Sequence, residues 1–275
     1  MRRIIFNALI VSLLTLTGCL GSAPLSIKTT SEVMINKTLS AIYLVKSYQL
    51  SSDFTENGFL DNGGTEWMGT KLVNVSDKEI RTNMLITTGP LSTYTEIYCK
   101  DGLEYCKTIS EESIPQTTGW TQAKLTDDVW NQQAQISFLA ELLKTATQSS
   151  SLKIEMLNGV NYYTLSITPS PQASVDWVLS QAQPGGPSFF SIEGGFFVRP
   201  DTYHEGSVKL WIDQSNDLPR RVEVEFDFQG EANGGPSSTA MADQRYNGQL
   251  VFSDYNQQIS ISLPQEALDI HNGGN

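Results

Sequence analysis

The sequence predicts an α+β fold, mainly β, in which an antiparallel sheet is covered on one face by amphipathic helices. Three observations predict it. Apolar residues alternate with period two, most clearly where Val222, Val224, Phe226 and Phe228 interleave with Arg221, Glu223, Glu225 and Asp227, giving each segment one dry and one wet face. Shorter stretches carry a helical period and follow capping residues. Turn signals such as Asn158-Gly159 separate the alternating runs at hairpin spacing.

The chain begins with Arg2 and Arg3, continues through the apolar run Ile4 to Leu16 and reaches Leu16-Thr17-Gly18-Cys19. That run is shorter than the roughly 20 apolar residues of a spanning helix, and its small-residue end marks residues 1–18 as a secretory signal peptide. Cys19 at the first mature position is the expected site of lipidation, which would hold the protein by a lipid anchor on the extracytoplasmic side of a cell-envelope membrane. The alternative is an ordinary signal peptide with a chance cysteine. Residues 19–29 then form a lipidated tether, 30–268 a single domain and 269–275 a flexible tail.

The whole chain of 275 residues carries a formal charge of −12. Without residues 1–18 it keeps 16 basic against 30 acidic residues, a charge of −14. Such a surface repels phosphate backbones, so nucleic acid is not an expected partner.

The first helix is expected after Thr30 or Ser31, with Val33, Met34, Leu39, Ile42, Tyr43 and Val45 as its apolar stripe. Strands follow around Ile80 to Ile86, Tyr94 to Lys100 and Leu103 to Thr108. Cys99 and Cys106 flank the tip of the last pair, and an oxidising compartment favours a disulfide between them. A two-residue turn at Asp101-Gly102 would leave them diagonal and too far apart for a relaxed bridge; a four-residue loop, Asp101 to Glu104, would set them opposite and is the expected form. Free thiols or a metal site are the alternatives, although two cysteines are too few for structural zinc.

Trp120 belongs to a short strand, Gly119 to Leu125. Thr126 caps a second helix carrying Val129, Trp130, Ala134, Ile136, Phe138, Leu139, Leu142 and Leu143. A hairpin through Asn158-Gly159 leads to Pro169 and Pro171, which introduce a third helix with Val175, Trp177, Val178 and Leu179. The Phe-rich stretch from Phe189 to Phe197 is either core cover or a mobile flap. Strands are expected again over Gly206 to Asp213, Arg220 to Gln229, Thr239 to Asp254 and Gln258 to Leu263.

Several short signals in this order resemble one family. They are Leu44-Val45-Lys46-Ser47-Tyr48, Glu96-Ile97-Tyr98 with Gly102 and Tyr105, Gly119-Trp120, Leu210-Trp211-Ile212-Asp213, Leu218-Pro219-Arg220-Arg221 and Phe252-Ser253-Asp254-Tyr255-Asn256. Together they resemble the LolA/LppX-like lipoprotein carrier superfamily, which includes LolA, the LppX and LprG group and the sensor RseB. The resemblance covers roughly residues 30 to 268. It implies a strongly curved sheet, an unclosed barrel, with helices over its concave face and an apolar cavity between the layers. It also implies a partner that is an acyl chain or a lipid-anchored protein. The cysteine hairpin and the Phe-rich stretch depart from the family pattern.

Catalysis and cofactors are not expected. His204 and His271 are the two histidines, and no Gly-x-Ser-x-Gly elbow, phosphate loop or zinc spacing accompanies them. Asp213 to Asp217 lacks the glycine and final glutamate of a calcium loop and reads as a turn. The expected cavity lining is Leu44, Tyr48, Met84, Trp130, Phe138, Leu142, Trp177, Phe190, Phe197 and Phe226. An acyl chain would enter between helix and sheet and leave when the helices or the Phe-rich stretch shift. A second class of function is an envelope sensor or structural module that binds a protein partner and carries no lipid, and a third is an envelope hydrolase.

Overall fold

A computed structural model describes residues 30–57, 64–111, 116–117, 119–181, 198–231 and 241–273. The expectations placed on Cys19, the signal peptide, the tether, Phe190 and Phe197 lie outside the described residues.

Helix α1 (Ser31–Ile42) opens the fold, its first turn closed by Thr30, whose hydroxyl accepts from the Val33 N–H. Strands β1 (Ser47–Asn57), β2 (Thr65–Asn74), β3 (Glu79–Thr88), β4 (Leu91–Lys100), β5 (Leu103–Glu111) and β6 (Gln116–Thr117) then form a meander. Strand β7 (Thr121–Lys124) also pairs with β5. Helices α2 (Asp127–Ala134) and α3 (Ile136–Lys144) lead to β8 (Gln148–Ser149), β9 (Lys153–Leu157) and β10 (Val160–Thr168). Helix α4 (Pro171–Ser180), strands β11 (Tyr203–Asp213), β12 (Pro219–Glu231) and β13 (Met241–Ser253), and helix α5 (Gln265–Gly273) complete the chain.

All thirteen strands belong to one curved antiparallel sheet with the order β6-β5-β4-β3-β2-β1-β13-β12-β11-β10-β8. Pairing of β1 with β13 joins the two halves, and among the described residues the two ends do not meet. The topology places the helices. The chain leaves the β5–β7 end of the sheet and must reach the β8–β10 end, and α2 and α3 occupy that crossing. One continuous core lies beneath them, built from alternate residues of the strands: Tyr48 and Leu50, Ile80 and Met84, Val208 and Leu210, Val222 and Val224.

Four expectations need correction. The second helix is two helices, because Gln135 adopts a left-handed conformation (φ 58°) and ends α2. The break lets α2 bury Trp130 and Ala134 while α3 buries Ile136, Leu139 and Leu142 on its own stripe. The segment Gln258 to Leu263 forms no strand. It runs over the outer face, where Ile259, Ile261 and Leu263 join Tyr98, Tyr105, Trp120 and Ala267 in a second apolar cluster. Helix α5 continues that cover, with Glu266 accepting from the Trp120 indole at 3.2 Å and from Lys107 at 2.8 Å, and it runs as far as Gly273, where a tail was expected.

The fourth correction concerns the cysteines. Asp101 and Gly102 both have positive φ, 52° and 76°, the signature of a two-residue hairpin turn whose twist matches that of the flanking strands. Cys99 therefore faces Glu104, and Cys106 faces Ile97. The four-residue loop does not form, and both thiols are free and buried.

Candidate functional site

The inner face between sheet and helices is the candidate site. Its centre is aromatic. Trp177 of α4 meets Phe54 of β1 edge-on at 5.1 Å and Phe226 of β12 at 5.4 Å. Both phenyl rings lie across glycines of adjacent strands. A Cβ on Gly248 would come within 1.7 Å of the Phe54 ring, and one on Gly206 within 2.6 Å of the Phe226 ring. Glycine is thus required at both positions, for close approach rather than for backbone freedom.

The expected lining residues divide. Tyr48, Met84, Trp130, Leu142, Trp177 and Phe226 are buried in the common core, and Phe138 packs against it partly exposed. Trp130 also lines a pocket of about 460 Å³ at one end of the layer, between the turns at Asp77-Lys78 and Gly102 and the start of α2. Leu44 does not line the interior. It is 75% exposed and borders an open surface groove of about 480 Å³ with Val33, Lys37 and Ala41. The reason is helical phase: Met34, Thr38 and Ile42 turn inward from α1, and Leu44 follows in the turn beyond. The other described lining residues are in close contact, and Tyr48, Leu142 and Trp177 are essentially inaccessible.

Sequence reasoning missed a polar set in this layer. Lys71 on β2 is 2% exposed, and its ammonium donates to the Gln133 carbonyl at 2.9 Å. Beside it the Tyr48 hydroxyl donates to the Ala134 carbonyl. Two strand side chains thus satisfy carbonyls at the C-terminal end of α2, where helical partners are lacking. Thr82 reaches the Gln133 side chain at 3.5 Å. On β5, Glu104 is 6% exposed and its Oε2 has no hydrogen-bond partner among the described residues.

Burial dominates the electrostatics here. Desolvation lowers the Lys71 ammonium to about 7, against a smaller raising effect of Cys99. It raises the Glu104 carboxyl above its ordinary value, and pushes the Cys99 thiol up to about 12, with Glu104 adding to the rise and Lys71 opposing it. Cys99 therefore senses both ionisable groups. The available signal was phase: Lys71 falls on the same alternation as Trp67 and Val73, and Glu104 on that of Cys106. His204 lies exposed on β11 at a register shift between Tyr203 and Glu205.

No family model matches the chain, and no curated protein matches it. Solved structures similar to it include the lipoprotein LppX of Mycobacterium tuberculosis, at 13% identity over 83% of this chain and 96% of that one, with a TM-score of 0.43. LprF of Mycobacterium bovis is similar at 10% identity over 84% of this chain and 95% of that one, TM-score 0.46. A LolA superfamily protein of Nitrosomonas europaea is similar at 16% identity over 86% and 96%, TM-score 0.24. With TM-scores at this level, the curved, unclosed sheet rests on the strand order and registers described above.

Proposed function

We propose that the chain is a membrane-anchored extracytoplasmic protein, attached through Cys19, that holds a hydrophobic acyl-chain ligand between its sheet and its helices. The observation that carries this reading is the inner face itself: an apolar, aromatic-rich surface of an unclosed sheet, covered by helices that cross from one end to the other. Each methylene removed from water there would contribute about 0.8 kcal/mol, so a chain of ordinary length gives useful affinity. Because the described side chains touch one another, binding requires α2 and α3 to lift and the Phe54, Trp177 and Phe226 rings to turn. Release is the reverse of that motion.

Native mass spectrometry of the protein purified from its own membranes tests this. A mass above that of chain plus anchor, falling to that value on delipidation, is expected. The bare mass under mild conditions contradicts it.

The close contact of the inner side chains, together with exposed Tyr43 and Leu44 beside α1, favours a second reading. In it the same fold, its interior filled by its own side chains, recognises a protein partner at the envelope. Cross-linking in cells that gives one dominant protein partner and no co-purified lipid selects this reading over the first.

A further inference from the structure

Most of the large apolar side chains left exposed among the described residues gather at one rim of the sheet: Val33, Tyr43, Leu44, Ile154, Met156 and Val160. Specific contacts tie the elements that carry them together. Lys37 of α1 meets Asp217 in the β11–β12 turn at 4.0 Å, and Asp213, just before that turn, stands opposite Tyr162 of the β9–β10 hairpin. Ser31, at the start of α1, donates to the Ser150 carbonyl shortly before β9. Helix α1 thus runs beside this hairpin, with Val33, Lys37 and Leu44 opening on one groove. Strand β9 has β10 on one side and, among the described residues, no strand on the other. Its Ile154 stands opposite Tyr163, on the face that Leu165 and Ile167 bury. Ile154 and Met156, 62% and 71% exposed, therefore carry the inner apolar face out beyond its helical cover.

Three features define what this rim meets. Its apolar residues are grouped over two neighbouring elements, which marks a contact surface rather than scattered exposure. It is short of carboxylates in a chain of charge −12: no Asp or Glu occurs from Val33 to Ser52 or from Met156 to Val175. Exposed Lys46 and Lys153 flank the apolar residues instead, Glu155 is paired with Lys209 at 2.9 Å, and Glu32 and Asp254 stand at the border. Farther along the rim, Asp77, Asp101 and Asp127 are exposed and bound the patch on that side. The third feature is where the chain enters. Thr30 follows Cys19 by eleven residues, which span at most about 40 Å, so a lipid on Cys19 keeps its bilayer within that distance of the start of α1.

Resting on the attachment through Cys19 proposed above, we infer that this rim is a bilayer-contact face, which seats α1 and the β9–β10 hairpin in the headgroup region of the membrane that holds the anchor. Tyr43 suits that depth, with an apolar ring and a hydroxyl that stays hydrated. Leu44, Met156 and Val160 reach the acyl boundary, about 5–10 Å deep for an element lying in the interface, while Lys46 and Lys153 meet lipid phosphates. The acidic stretch at Asp77, Asp101 and Asp127 is repelled by anionic headgroups, so the sheet tilts onto its α1 side. Contact here gives an acyl chain a route that avoids water, from the bilayer along Ile154 and Met156 to the inner face at Tyr163.

The test uses the full chain purified from its membranes and reconstituted on vesicles of phosphatidylcholine and phosphatidylglycerol, with an environment-sensitive NBD label on one introduced cysteine at a time. The substitutions are Leu44→Cys, Met156→Cys and, as control, Leu91→Cys at the β3–β4 turn on the opposite rim. All three side chains are exposed, so the label leaves the core intact, and Cys99 and Cys106 are buried. Emission at positions 44 and 156 should shift to the blue and be quenched by lipids brominated on their acyl chains, while emission at position 91 does neither. Labels at 44 and 156 as wet as that at 91, on chains that float with the vesicles, overturn the contact face and leave the attachment standing. A blue shift that brominated lipid does not quench means that these residues meet protein, a second copy or an envelope partner, and overturns it as well. A chain that carries no lipid and stays out of the vesicle fraction removes the attachment and the contact face together.

Discussion

The hydroxyl of Tyr48, on the first strand, donates to the Ala134 carbonyl at the point where α2 ends and α3 begins. This contact joins residues 86 positions apart and holds the helix break against the centre of the sheet. Tyr48→Phe keeps the ring, which packs 5.9 Å from Phe252, and removes the donor. Leaving a buried carbonyl unsatisfied costs about 1–3 kcal/mol. Urea denaturation should show a loss of that size, and hydrogen exchange should rise in α2 and α3 before it rises in β1. Uniform exchange across all three would show that the hydroxyl does not hold the helices.

The Gly248–Phe54 contact gives a second expectation. A methyl at residue 248 collides with the ring at 1.7 Å, and overpacking of this kind costs about 1–3 kcal/mol. Gly248→Ala should therefore lower stability by that order. Gly248→Ala combined with Phe54→Leu should recover part of the loss. Equal loss in the single and double variants would contradict a direct steric cause.

Lys71 makes stability depend on pH. Its folded value, about 7, lies below the ordinary lysine value. Between them the unfolded chain holds a proton that the folded chain does not, so stability rises with pH, at up to about 1.4 kcal/mol per unit. Between pH 7 and 9 the wild type should gain about 2–3 kcal/mol relative to Lys71→Met, measured by denaturant titration at fixed salt. Glu104 acts in the opposite sense at lower pH: its raised value favours the folded state while protonated, and that stabilisation fades as pH rises out of the carboxylate range. A flat difference between pH 7 and 9 would show that Lys71 is solvated.

The two-residue turn at Asp101-Gly102 leaves Cys99 and Cys106 diagonal, as free thiols, and burial holds Cys99 protonated up to about 12. Folded protein at pH 8 should therefore resist iodoacetamide at both positions and accept two labels on unfolding in denaturant without reductant. Labelling only after reduction would show that the pair is oxidised.

Local chemistry made much of this fold legible in the sequence. Thr30 and Thr126 cap their helices through side-chain oxygens, Asn158-Gly159 turns with both φ values positive, and the Val222 to Phe228 alternation sets one face of β12 on the core. What was not legible depends on distant partners. An extended chain alternates whether or not it finds a ladder, so Gln258 to Leu263 reads as a strand although it lies as a strap over Tyr98 and Trp120. Gln135 is placed in a left-handed turn among contacts that include its side chain's 2.6 Å hydrogen bond to Gln181, which local sequence does not announce. The aromatic part of the candidate site followed from periodicity. Lys71 and Glu104 did not, because a charge on an apolar alternation reads as an interruption until the sheet closes over it.

The central claim is that an acyl chain occupies the space between helices and sheet, and photo-crosslinking with a diazirine-bearing fatty acid tests it most directly. After irradiation and peptide mapping, label is expected on peptides carrying Trp130, Leu142, Trp177 and Phe226, with competition by unlabelled fatty acid. Label confined to the outer surface around Val33, Tyr43 and Leu44, or label that unlabelled fatty acid does not displace, would contradict it.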